Sequence, residues 1–237
     1  ALFDTTGAQI VSFGQPEIFN RALLSKDGSR ISMEIVDLQS HNVDIWLYEI
    51  ARGIQTRFTF DPSADINPLW SPNGDRIVFG SSRKVHDDLY TKGTTGSSPE
   101  ELLTDFGARD KIPNDWSSDG RYILFTMTNN PKTKSDLWIL PMAGDRKPIP
   151  FLQTEFNESG GAFSPDMHWI AYISDESGKP EVYVRPFVEP GAPNSSAASG
   201  KWQISLSGGV YNGWRNNGHT ILYSESDNKI MSANIQA

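Results

Sequence analysis

No cysteine occurs among the 237 residues, which excludes disulfide staples, thiolate nucleophiles and cysteine-held zinc or iron–sulfur centres. Long apolar runs are missing too. No stretch approaches the roughly eighteen consecutive apolar residues of a membrane span, and the start, Ala1-Leu2-Phe3-Asp4, has no basic-then-apolar export signal, so no membrane insertion is expected. Positive charge is in deficit: 21 Lys and Arg stand against 29 Asp and Glu, a formal net charge of −8, and a chain of that sign is no general nucleic-acid binder.

Catalytic signatures are equally scarce. There is no Gly-x-Ser-x-Gly nucleophile elbow and no His-Glu-x-x-His; His41, His86, His168 and His219 are scattered singly. Gly93-Thr94-Thr95-Gly96-Ser97-Ser98 has the composition of a phosphate loop but neither its lysine nor a following helix, and reads as a turn. Asp61-Pro62-Ser63-Ala64-Asp65 lacks the regular oxygen ligands of a calcium loop. Neither a cofactor nor a metal is implied.

What the chain does contain is a repeat. An aromatic residue or Leu precedes a polar turn five times: Leu24-Ser25-Lys26-Asp27-Gly28, Trp70-Ser71-Pro72-Asn73-Gly74, Trp116-Ser117-Ser118-Asp119-Gly120, Phe163-Ser164-Pro165-Asp166-Met167 and Trp214-Arg215-Asn216-Asn217-Gly218. The last residues of these motifs are spaced by 46, 46, 47 and 51 residues, the period of propeller blades. Met167 takes a Gly position, so that turn must avoid positive φ or bear strain.

Each turn leads into an apolar or alternating run (31–35, 76–79, 122–125, 169–173, 220–223), the second strand of a hairpin. A third strand follows at 44–48, 88–90, 136–140, 181–184 and 229–231, and a more polar fourth at 56–60, 101–104, 148–152 and 202–205. Four short strands cannot bury both faces of a sheet alone, so neighbouring sheets must pack face to face around an axis. The expectation is an all-β, five-bladed propeller of four-stranded antiparallel blades, one domain over 1–237 with repeats at 16–63, 64–108, 109–156, 157–208 and 209–237 plus 1–15. In this scheme 9–13 supplies the outer strand of the last blade. Leu2-Phe3-Asp4-Thr5-Thr6-Gly7 also reads as a third strand, which leaves open a segment of a larger six- to eight-bladed ring.

Trp70-Ser71-Pro72-Asn73-Gly74-Asp75-Arg76-Ile77-Val78-Phe79 followed by Asp88-Leu89-Tyr90 resembles the repeat of TolB-like propellers, over roughly residues 16–237. More narrowly, residues 2–7 with Asp44-Ile45-Trp46 and Lys201-Trp202-Gln203-Ile204-Ser205 look like the propeller region of some bacterial serine/threonine protein kinases. The resemblance implies a partner-binding module or the companion of an enzyme domain, with an extracytoplasmic setting slightly favoured. The hydrolase motif that accompanies related propellers in prolyl peptidases does not occur in the sequence.

In a four-stranded blade the fourth-to-first and second-to-third loops share one face, where binding groups concentrate. Here they carry mixed charges, among them Asp87, Asp110, Glu176, Arg83, Arg109 and Lys134, and a solvated rim is the plain reading. The long segment 190–200 joins third and fourth strands and projects from the opposite face. Residues a few positions before the aromatic or Leu that opens each turn converge on the axis: Arg21, Asp65, Asn67, Lys111, Asn114, Glu158 and Asn212. Convergent polar groups over a concave opening suit a protein or peptide ligand, although ordered water satisfies the same groups. The alternative, a five-bladed carbohydrate-active enzyme using channel carboxylates, rests on blade number and abundant acids.

Overall fold

The structure, a computed structural model, describes residues 2–3, 6–11, 18–95, 98–191, 200–225 and 229–235, of which residues 2, 3, 10, 11, 211, 212 and 216 are described by their backbone only. The fold is all-β, with one 3-10 turn at Asn216–Gly218 as the helical content among these residues. Two strands come first, β1 (Leu2–Phe3) and β2 (Gln9–Val11). Blade I is β3 (Phe19–Leu24), β4 (Arg30–Val36), β5 (Val43–Glu49) and β6 (Ile54–Arg57). Blade II is β7 (Asp65–Trp70), β8 (Arg76–Ser81), β9 (Asp88–Gly93) and β10 (Glu101–Leu102). Blade III is β11 (Lys111–Trp116), β12 (Tyr122–Asn130), β13 (Lys134–Pro141) and β14 (Ile149–Leu152). Blade IV is β15 (Glu158–Phe163), β16 (Trp169–Ser174), β17 (Glu181–Pro186) and β18 (Trp202–Gln203). Blade V contributes β19 (Val210–Arg215), β20 (Thr220–Ser224) and β21 (Ile230–Asn234).

Each blade is an antiparallel meander in sequence order, the five-bladed propeller expected from the repeat. The head differs from the expectation. β2 pairs antiparallel with β1, with Leu2 opposite Val11 and Phe3 opposite Gln9, as a two-stranded sheet of its own, and blade V has three strands among the described residues. The closing-strand expectation for 9–13 is met by no pairing of Gln9–Val11 with blade V among the described residues, and residues 12 and 13 lie outside them.

The turn motif works through its serine. The Oγ atoms of Ser25, Ser71, Ser117 and Ser164 accept the N–H of Arg30, Arg76, Tyr122 and Trp169 at 2.9–3.0 Å. Each donates in turn to the Asp or Asn two residues on, which fixes the reversal by side-chain capping of backbone groups. Gly28, Gly74 and Gly120 then sit at φ of 72°, 72° and 78°, and Met167 occupies the same conformation at φ 63°, so this turn bears the left-handed strain that glycine avoids.

The second strands are apolar on both faces because every inner blade is sandwiched. Ile77 and Phe79 pack with Ile45, Leu47 and Phe58 of blade I, whereas Val78 packs with Ile123 and Phe125 of blade III. Leu124 and Leu137 meet Phe163, Ile170 and Tyr172 of blade IV, and Ala171, Val182 and Val184 meet Trp214, Ile221 and Tyr223 of blade V. Alternation along a strand, with period two, serves two separate cores.

Candidate functional site

The innermost strand of every blade is irregular at a corresponding place. Pairing slips between Phe19 and Arg21, Ile66 and Leu69, Pro113 and Asp115, Ser159 and Ala162, and Tyr211 and Gly213. Such bulges bend a strand and redirect its side chains. The residues they contain suit the required backbone: Asn67 lies at φ 54° and Gly160 at φ 62°, positions that Asn and Gly tolerate.

Around these strands lies a cavity of about 510 Å³ to which all five blades contribute. Its apolar wall is Trp70, Trp116, Phe163 and Trp214 with Leu23 and Leu69; its polar groups include Arg21, Lys26, Asn114 and Asp115. The turn residues Ser71, Pro72, Ser118 and Pro165 border it, so the cavity stands at the end of the inner strands that leads into the first-to-second turns. The sequence reading looked to the opposite loop face. Two turn aromatics are buried wedges, Phe163 and Trp214, while Trp70 and Trp116 are half-buried and present surface to the cavity. The indole N–H of Trp70 donates to Leu23 O at 3.1 Å and that of Trp214 to Ala162 O at 3.3 Å, each tying its blade to the one before.

Of the seven residues singled out in the sequence, Arg21 and Asn114 line this cavity. The Arg21 guanidinium donates to Asn67 Oδ1 at 3.1 Å; burial pulls its proton affinity below the ordinary guanidinium range, opposed by nearby Glu34. Asn114 Oδ1 accepts the Thr126 hydroxyl at 2.6 Å. Asp65, Lys111 and Glu158 open their strands at the far end and are buried. Asp65 accepts two 3.0 Å bonds from Arg83, and burial outweighs them to raise its pKa. Lys111 Nζ donates to Asp88 Oδ1 at 2.7 Å and to Arg109 O at 3.0 Å, a tie from blade III to blade II. Glu158 accepts the Thr154 hydroxyl, and burial raises its pKa. The Asn212 side chain lies outside the described residues.

Two groups escaped the sequence reading. Asp115 accepts the N–H of Trp116 and, across the blade junction, that of Phe163, both at 2.8 Å. Burial pushes its carboxyl up to about 7 against those hydrogen bonds. Glu34 Oε1 accepts the Asn67 N–H at 2.6 Å, and burial raises its pKa. The available signal for Glu34 was an acid between Met33 and Ile35 within a second strand; for Asp115 it was a carboxylate abutting the turn aromatic. A third pattern, an acid opening the third strand at Asp44, Asp88, Asp136 and Glu181, was visible in the repeat, and all four are buried. In blades II and IV a Ser or Thr hydroxyl beyond the fourth strand donates to that acid, Thr104 to Asp88 and Ser205 to Glu181. Asp115 is the single carboxylate among the described lining residues, so a glycosidase-type acid pair is not assembled there. Among the described residues no three His, Asp or Glu side chains group as a metal set.

No family profile matches the chain. It is 25% identical over 189 residues to the protein called uncharacterized peptidase YuxL of Bacillus subtilis, a match covering 61% of this chain and 28% of that one. The chain thus corresponds to under a third of that relative's length. Among solved structures, the putative TolB from Agrobacterium tumefaciens superposes with a TM-score of 0.74 at 15% identity, covering 93% of this chain and 78% of that one. TolB from Acinetobacter baumannii does so with a TM-score of 0.71 at 15% identity, covering 97% and 57%. These likenesses establish a TolB-like β-propeller fold.

Proposed function

We propose that this propeller is a non-catalytic scaffold that binds a protein or peptide partner through the axial cavity. The observation that carries the reading is the composition of that cavity. Four large aromatic side chains from four blades surround a space of about 510 Å³, within the range that holds a ligand, and beside them stand polar groups from the bulged inner strands and from the turn after β3. Two of those groups, Arg21 and Lys26, are cationic against the one carboxylate, Asp115, so the lining favours an extended segment carrying an apolar or aromatic side chain next to an acidic one.

A displayed peptide library panned on the chain, with counter-selection on an Asn114→Trp variant that fills the cavity, tests this. The expected outcome is a set of acidic-aromatic peptides whose affinity falls about tenfold or more on Arg21→Ala. Recovery only of peptides that bind the filled variant equally would overturn the reading. A second reading, a propeller that accompanies a peptidase domain, is favoured by the likeness to YuxL. Peptidase activity in the longer protein that changes on filling the cavity would support it.

A further inference from the structure

The repeat lets one position be compared from blade to blade. On the second and third strands Phe79 pairs with Tyr90 in blade II, Phe125 with Trp138 in blade III and Tyr172 with Tyr183 in blade IV. Two residues nearer the first-to-second turn, the pairs are Ile77 with Lys92, Ile123 with Leu140 and Ile170 with Arg185. Blades II and III use these places for packing and bracing. Phe79, Phe125 and Leu140 are fully buried, and Lys92 Nζ donates to Phe58 O at 2.7 Å and to Glu100 at 3.2 Å. Blade IV departs from the pattern. Tyr172, 1% exposed and stacked on Tyr183, carries a hydroxyl where the other two blades have Phe, and that hydroxyl has no hydrogen-bond partner among the described residues. Arg185 is half-buried with its guanidinium over the Phe151 ring and makes no hydrogen bond or ion pair among the described residues.

Both groups line a chamber of about 270 Å³ between blades III and IV, together with Glu158, Thr154, Glu176 and Lys201. The chamber shares no described lining residue with the axial cavity. Lys201 and Glu176 neutralise each other across 2.5 Å. Glu158 is buried and, among the described residues, accepts from the Thr154 hydroxyl and, at 3.4 Å, the Thr154 N–H, whereas Asp65 and Lys111, which open the inner strands of blades II and III, are held by the charged groups of Arg83 and Asp88. Register sets Glu158 opposite Ser174 and Arg185 opposite Ile170, two strands and four residues apart, or roughly 16 Å between Cα atoms. Side chains that line one chamber from that separation leave room for a small molecule between an acceptor at one end and donors at the other.

We infer that this chamber binds a small zwitterion of the α-amino acid class, its carboxylate on the Arg185 guanidinium and the Tyr172 hydroxyl and its ammonium on the Glu158 carboxylate. The guanidinium presents paired N–H donors that match a carboxylate, and the phenol adds a donor beside it. An unpartnered buried hydroxyl is costly, and a bound carboxylate removes that cost. At the other end burial disfavours the ionised form of Glu158, which an adjacent ammonium offsets. A simple carboxylate leaves Glu158 without a cation, and a simple amine leaves Arg185 unpaired. The volume falls below the roughly 300–1,000 Å³ of pockets for larger ligands, which suits a single amino acid and not the extended segment assigned to the axial cavity.

Ligand-observed NMR titration of the 237-residue chain with the proteinogenic α-amino acids tests this. At least one should bind with a Kd of about 1 mM or tighter, and its des-amino carboxylate and its decarboxylated amine should each bind about tenfold or more weakly. Arg185→Met should weaken binding of that amino acid about tenfold or more, and Tyr172→Phe about three- to tenfold. Neither variant removes a hydrogen bond or ion pair found among the described residues, so both should stay folded, and Tyr172→Phe should melt no lower than the parent. A lower melting temperature for Tyr172→Phe would show its hydroxyl already satisfied within the chain and overturn the inference. So would binding that both variants leave unchanged, equal binding of the carboxylate alone, or no binding by any of the amino acids, which would leave water as the occupant.

Discussion

Lys111 offers the sharpest test of how the blades are held together. It is 1% exposed, its ammonium lies 2.7 Å from Asp88 Oδ1 and 3.0 Å from Arg109 O, and the Phe106 ring covers it with its centroid 5.3 Å away. Lys111→Met keeps most of the volume and removes the charge, leaving the Asp88 carboxylate buried with the Thr104 hydroxyl, 3.3 Å away, in compensation among the described residues. Breaking one side of a buried pair costs about 3–5 kcal/mol because the remaining charge is uncompensated. For a domain of this size about 1 kcal/mol corresponds to roughly 2–4 °C, so melting should fall by about 6–20 °C. Adding Asp88→Leu removes the orphaned charge, and the double variant should regain about 2 kcal/mol or more relative to additivity. Denaturant unfolding of the four proteins measures both quantities. A single-variant cost below about 1 kcal/mol, or strictly additive effects, would refute the argument and mean that water reaches this junction.

Three further outcomes are expected. Gly120→Ala should cost about 1 kcal/mol, because φ is 78° and a Cβ there meets nothing within 4 Å; Met167→Ala, already an L residue at φ 63°, should lose only side-chain packing, and urea unfolding that ranks the two oppositely contradicts the turn analysis. Burial raises Asp115 from 3.8 to about 7, so the folded chain holds a proton that the unfolded chain releases between those values. The stability this group confers is complete below about pH 4 and is lost as pH rises to about 7. Asp115→Asn should flatten that part of the profile, and a melting-temperature slope over this window equal to the parent's counts against it. Deleting residues 1–14 removes strands that pair with each other, so the shortened chain should melt within about 2 °C of the parent; a larger loss would show that the head braces the blades.

Blade number and strand order were legible because the repeat encodes them twice, through the Ser-x-Asp/Asn-Gly turn and through apolar alternation on either side. Where the sequence reading departed from the structure, the reason was competition between partners that local pattern cannot rank. Residues 9–13 have the composition of a fourth strand, yet Leu2 and Phe3 lie nearer in sequence than blade V does. The candidate site divided for a similar reason. Counting back from the turn aromatics located Arg21 and Asn114 on the inner strands, but the same count swept in Asp65, Lys111 and Glu158, which sit at the strand starts and are consumed by Arg83, Asp88 and Thr154. Asp115 was overlooked because its significance comes from an N–H 48 residues away, on Phe163, which no local pattern announces.

The central claim, that the axial cavity is where this propeller takes its partner, is tested most directly by hydrogen–deuterium exchange of the chain with a selected peptide bound. The account predicts added protection at 69–72, 114–118 and 162–165, the segments that line the cavity from three blades. Protection confined to 83–87 and 128–133 on the opposite loop face, with the cavity segments unchanged, would contradict it.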